Sequence, residues 1–224
     1  MYEQAYVHIL KRVGGVLLVV GLIDIGVMIY CAVNRISYSS SFNVFAVIAG
    51  IFLLRGSLGA ASIVRWFAVF LLAAMISFTA SWPLLQPVDL TLVQIRLNPG
   101  AFTTMAALMV FLLALLAWVI RQLGSEPILS ALATAGRKIR DMRLPAALGI
   151  GLVVLLLTLL NQILGGQTAE HAKAMARQQL GAGYHFHVSS LNINSANGLA
   201  SVSGVVTAWN EKEIRTVRVE WQER

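Results

Sequence analysis

Two patterns of apolar and polar positions divide the chain. Through about residue 166, long apolar runs alternate with short polar breaks. Beyond it the runs give way to a mixed segment and then to strict alternation. Five runs stand out, at residues 13–33, 36–54, 62–82, 101–120 and 145–165. A helix needs about 20 apolar residues to cross roughly 30 Å of hydrocarbon. Four runs meet that length outright. The second has only residues 42–54 as its clearly apolar part, preceded by the polar stretch Ser37–Ser41. It spans only if the serines enter the bilayer as helix, with their hydroxyls bonded to their own carbonyls.

The flanks refine this picture. Residues 1–12 form an amphipathic lead ending in Lys11 and Arg12. Gly14, Gly15, Gly21 and Gly26 recur along the first run, and glycines at that density let a neighbouring backbone approach closely. Small residues also repeat at four-residue spacing in the third run (Ala73, Ser77, Ser81) and in the fifth (Ala147, Gly151). Trp66 and Trp82 mark the two interfaces of the third run. Residues 83–100 read as a loop bounded by prolines, with Leu90, Leu92 and Ile95 against the membrane surface or the tail. Ser125-Glu126-Pro127 is a helix start. After it Ile128, Leu132, Ala135, Ile139 and Met142 form one stripe, which predicts an amphipathic helix over 126–142. Arg137, Lys138 and Arg140 on its other face, with Arg143 beyond, make a candidate contact for anionic lipid headgroups.

In the tail, residues 168–180 are rich in helix formers, with Gly181 or Gly183 as the stop. Tyr184, Phe186 and Val188 then alternate, and Leu191 and Ile193 resume in the other phase, which predicts a bulge near Ser189-Ser190. Asn197-Gly198 is a hairpin signal. A second strand over 199–209 and a third presenting Val217, Val219 and Trp221 complete the segment. The expected fold is therefore a mainly α membrane protein. A five-helix transmembrane domain (residues 1–166) is followed by a small α+β domain (167–224), a helix with a three-stranded antiparallel meander.

Composition agrees: the chain is 58% hydrophobic and only 12% charged, where soluble domains carry about 25% charge. The sequence pI near 10.1 reads as topology and lipid contact, not as nucleic-acid binding. With five spans, one side receives Lys11, Arg12, Arg55, Arg65, Arg121, Arg137, Lys138, Arg140 and Arg143, and the other only Arg35 and Arg96 before the tail. By the positive-inside rule the N-terminus is cytoplasmic. The tail is then periplasmic or extracellular, and a bacterial inner membrane is the expected site.

Candidate chemistry is sparse. Asp24 lies near the middle of the first run, where an ionised carboxylate costs several kcal/mol unless paired or hydrated. It is either an ion or proton site or a buried polar contact with Ser77, Thr79 or Asn43. His185 and His187 share a strand face, with His171 on the preceding helix, a weak zinc or copper pattern. The one cysteine, Cys31, forms no intrachain disulfide. No cofactor motif is present. These readings favour a non-enzymatic protein that binds another membrane or envelope protein, as an accessory, assembly or immunity-type partner. The alternative is a small oligomeric transporter or channel subunit that uses Asp24.

Overall fold

A computed structural model of the chain describes residues 2–36, 42–138, 140–164, 166–181, 183–196 and 199–223. Nine helices are present among these residues: α1 (Tyr2–Val33), α2 (Phe42–Leu54), α3 (Leu58–Ala80), α4 (Trp82–Leu85), α5 (Val88–Leu97), α6 (Pro99–Leu123), α7 (Glu126–Thr134), α8 (Arg143–Leu164) and α9 (Gln167–Leu180). Three strands follow: β1 (His185–Ala196), β2 (Leu199–Trp209) and β3 (Ile214–Glu223).

Four helical segments are long and apolar enough to cross a membrane: Ala5–Val33, Leu58–Ala80, Pro99–Leu123 and Arg143–Gln162. They correspond to the first, third, fourth and fifth apolar runs. The second run yields only the 13-residue α2. At 1.5 Å per residue that is about 20 Å of helix, short of the roughly 30 Å hydrocarbon core. Ser37–Ser41 and Ile139, invoked above, lie outside the described residues, as does the Asn197-Gly198 turn.

The chain forms two compact units, and α3, α6 and α8 contribute to both. One comprises Met1–Ala73 and Leu112–Gly149. Its tightest contact is the antiparallel pair α1 and α2. A Cβ on Gly14 would lie 2.8 Å from the Gly50 carbonyl oxygen, and one on Gly50 would lie 2.8 Å from that of Gly14. Here the two backbones touch, and only glycine fits on either side. The expectation for the other glycines of the first run is corrected in part, since Gly15 and Gly26 face open space. The small pair Ala147 and Gly151 on α8 is likewise exposed and does not pack within the chain.

Two elements differ from the sequence reading. Residues 83–100 are largely helical, not a loop. Pro83 sits in the first turn of α4 and Pro99 opens α6, positions where the missing amide hydrogen costs nothing. In α5, Asp89 occupies the first turn and Arg96 the last, each favourable to the helix dipole. Leu90 is buried, while Leu92 is exposed. The predicted 126–142 helix stops at Thr134. Gly136 takes a φ of 65°, its N–H donates to the Ala133 carbonyl, and the Arg137 N–H donates to that of Leu132. This paired closure is the Schellman arrangement, which ends a helix. The apolar stripe survives in Ile128 and Leu132, both buried, but Arg137, Lys138, Arg140 and Met142 follow the helix and do not lie on its polar face.

The second unit comprises Ala74–Phe111 and Ile150–Arg224. Its sheet has the order β1-β2-β3, antiparallel throughout. The phase flip in β1 is a bulge: the register shifts between Val188 and Ser190. One sheet face packs on α9. Val188, Val206, Val217 and Val219 meet Ala169, Ala172 and Ala176, spaced three and four apart on the helix. Alanine at those positions lets the helix axis come close to the strands, and Phe186, Leu191 and Trp221 close the margins.

Candidate functional site

Asp24 continues the α1 stripe that begins with Leu10, Gly14, Leu17 and Gly21, the face turned toward α2. Given the Gly14–Gly50 crossing, it lies level with the start of α2. Asp24 is half-buried and is not a free group. Of the partners considered for it, Thr79 instead donates its hydroxyl to the Met75 carbonyl at 2.8 Å.

Beside the α1–α2 contact lies a cleft of about 670 Å³. Its walls come from α1 (Leu17), α2 (Phe45, Phe52), α3 (Val64, Phe67) and α6 (Val119), with further residues of the same four helices. Every lining side chain is apolar. The volume falls in the usual range for small-molecule sites, about 300–1,000 Å³. No polar group lines the cleft to orient a polar substrate.

The same unit gathers arginines. The Arg12 guanidinium stands over the Trp118 ring, 5.8 Å from its centroid. Arg65, two turns into α3, has its Nε enclosed without a hydrogen-bond partner among the described residues. A Cβ on Gly124 would lie 3.1 Å from its Nη2. Arg137 reaches Gly59 in the same manner, so two glycines make room for two guanidinium groups. Among the described residues the ion pairs are Lys173–Glu170 and Arg215–Glu213, both in the tail, so these three arginines have no carboxylate partner. Of the four residues expected to contact anionic lipid, Lys138, Arg140 and Arg143 are exposed, and only Arg137 also has a position set by a neighbouring element. The sequence reading counted Arg12 and Arg65 for orientation but missed their placement. Nothing local signals it, because each partner lies more than fifty residues away.

The tail's polar groups hold its own turns. The Tyr184 hydroxyl donates to the Glu213 carboxylate, which also pairs with Arg215 at 3.0 Å. The Tyr184 hydrogen bond, reinforced by Arg215, holds the Glu213 carboxyl below its ordinary range. Asn210 Oδ1 accepts the N–H groups of Lys212 and Glu213, both at 2.9 Å, closing the β2–β3 turn. The histidines have separate surroundings. His171 stands 5.2 Å from the Trp221 ring and His185 5.6 Å from that of Trp209. His187 is half-buried, with the Leu85 main chain nearby. Among the described residues no three His, Cys, Asp or Glu stand together as a metal site.

The strand face that carries His185 and His187 is thus partly covered, at His187 by the end of α4. Burial, helped by the Lys173 charge, pushes the His187 imidazole below its usual 6.5. The folded tail then binds fewer protons at His187 than the unfolded chain does. This contribution to stability is full above about pH 6.5 and is lost as pH falls below it. Protection factors of the β1 amides, taken relative to the intrinsic exchange rate at each pH, should fall between pH 7 and pH 5 in the wild type, and less so in His187→Gln. An equal fall in both would contradict this assignment. The Glu213 contribution is lost only at lower pH, below the ordinary carboxylate value of 4.5.

Comparison with protein-family models, with curated proteins and with solved structures finds no match to this chain.

Proposed function

We propose that this chain is a multi-pass protein of a bacterial inner membrane that works by binding another membrane or envelope protein. In this reading the N-terminus is cytoplasmic and the tail periplasmic or extracellular. The segment containing α2 is a fifth span, completed by the residues before it. The nine-to-two distribution of Lys and Arg supports the orientation. So does the clustering of Arg12, Arg65 and Arg137 within one unit.

The observation that carries the binding reading is the sheet. With the order β1-β2-β3, the 12-residue β1 and the 10-residue β3 each pair on one side only. Long open edges accept an added strand from a partner. On β3 the residues Thr216, Arg218 and Glu220 are exposed, while Val217 and Val219 point into the core. The partner thus meets a polar strand backed by a packed one. The transporter alternative requires polar groups along a path, and every residue lining the cleft of the same unit is apolar.

A photo-crosslinking residue at Thr216 should capture one defined envelope protein in intact cells, and the same group at Glu211, in the turn, should not. Recovery of a partnerless monomer in mild detergent, without crosslinks from β3, would defeat the proposal. Orientation has its own readout: in a Cys31→Ser background, Lys212→Cys should react with an impermeant thiol reagent in intact spheroplasts. Labelling only after lysis reverses the topology.

A further inference from the structure

We infer that the apolar cleft is a phospholipid site that selects an anionic headgroup from one leaflet. Each of the four helices lining it has an arginine within it or directly after it, close to the same end. On α1, Arg12 precedes the lining residue Leu17; on α2, Arg55 follows Phe52. On α3, Arg65 is next to Val64, and on α6, Arg121 follows Val119.

These arginines share one end because α1 and α2 are antiparallel, with Gly14 against Leu54 and Gly50 against Leu18. In turn only three residues separate α2 from α3, and the C-terminal end of α6 reaches Arg12 through Trp118 and Arg65 through Gly124 just beyond it. Along α1, Arg12 lies about 8 Å from Leu17, whereas Arg35, at the far end, lies about 27 Å away. The cleft is therefore apolar along its walls, and four arginines stand at the level of one end without lining it, the polarity of a single phospholipid.

Charge complementarity argues for an anionic headgroup. Arg12, Arg55, Arg65 and Arg121 have no carboxylate ion pair among the described residues, and the Arg65 Nε is enclosed with its donor unused. A phosphate diester offers acceptors for guanidinium groups and introduces no uncompensated charge. Depth fits as well. Along α2 the lining residues run from Phe45 to Phe52, about 10 Å of helix and within the depth of one leaflet, and Arg55 lies just beyond the helix end. This site is separate from the exposed Lys138, Arg140 and Arg143, which are suited to diffuse contact with many headgroups.

The test is native mass spectrometry of the full chain released from nanodiscs of equal parts phosphatidylglycerol and phosphatidylcholine. The wild type should retain phosphatidylglycerol in preference. Arg55 and Arg121 are exposed, so Arg55→Gln with Arg121→Gln leaves the packing intact. It should lower the ratio of retained phosphatidylglycerol to phosphatidylcholine by at least about fivefold, given the usual contribution of a cation at an anionic surface. The double lysine variant should keep the preference. Ala49→Trp, which fills the cleft, should reduce retention of both lipids. Equal retention of both lipids by the wild type would overturn the inference. So would a Gln variant matching wild type, or a dimer carrying no phospholipid, which would put a second copy in the cleft.

Discussion

Gly14→Ala and Gly50→Ala should each loosen the α1–α2 pair, whereas Gly15→Ala should not. A methyl group on Gly14 meets the Gly50 oxygen at 2.8 Å, the Leu54 nitrogen at 2.9 Å and the Leu53 Cβ at 3.0 Å. On Gly50 it meets the Gly14 oxygen at 2.8 Å and the Leu18 nitrogen at 2.9 Å. These neighbours are backbone atoms and a Cβ fixed to its backbone, none of which can rotate away, so the helices must separate. Overpacking of this kind typically costs about 1–3 kcal/mol. It falls on a contact for which hydrocarbon supplies no hydrophobic compensation. In a helix interior, alanine is otherwise preferred over glycine by about 1 kcal/mol. Gly15→Ala, with open space around it, isolates that gain. Thermal unfolding in detergent, followed by tryptophan fluorescence, should place both crossing variants below wild type and Gly15→Ala at or above it. If Gly14→Ala were as stable as Gly15→Ala, the close crossing would be wrong.

Val206→Asp should unfold the tail while the helices remain inserted. Val206 is fully buried in the middle of the central strand, between Val188 on β1 and Val217 on β3, on the face that receives α9. A carboxylate there has no partner and costs several kcal/mol or raises its own pKa to stay neutral. A segment of about 57 residues has little stability to lose. Limited proteolysis should then cut within β1–β3 at rates far above wild type, leaving the membrane part intact. Thr216→Asp, exposed on β3, is the matched control and should resist cleavage. A tail that stays protected in Val206→Asp would show that its stability does not come from the α9–sheet core.

Where sequence and structure agree, the signal was local. A 3.6-residue period, or an apolar run of spanning length, needs no knowledge of neighbours, and α1, α3, α6 and α8 follow from it. Alternation with one phase change was enough for β1 and its bulge. The misreadings had local causes too. The two prolines bounding residues 83–100 signal a loop in sequence, but proline is equally at home in a first helical turn, where Pro83 and Pro99 sit. The apolar stripe through Met142 continued past Gly136, and the stripe does not report the left-handed φ that ends α7.

By itself, then, the sequence determined the class of the molecule, the four long apolar helices and the helix-plus-meander tail, because these depend on periodicity and composition along the chain. Only the tertiary structure decided which glycine of the first run is a contact. It also decided that Arg12 meets Trp118, that Arg65 and Arg137 rest on Gly124 and Gly59, and that α1, α2, α3 and α6 leave an apolar cleft. Those features join residues far apart in the chain, and their energies depend on distances that no sequence period encodes.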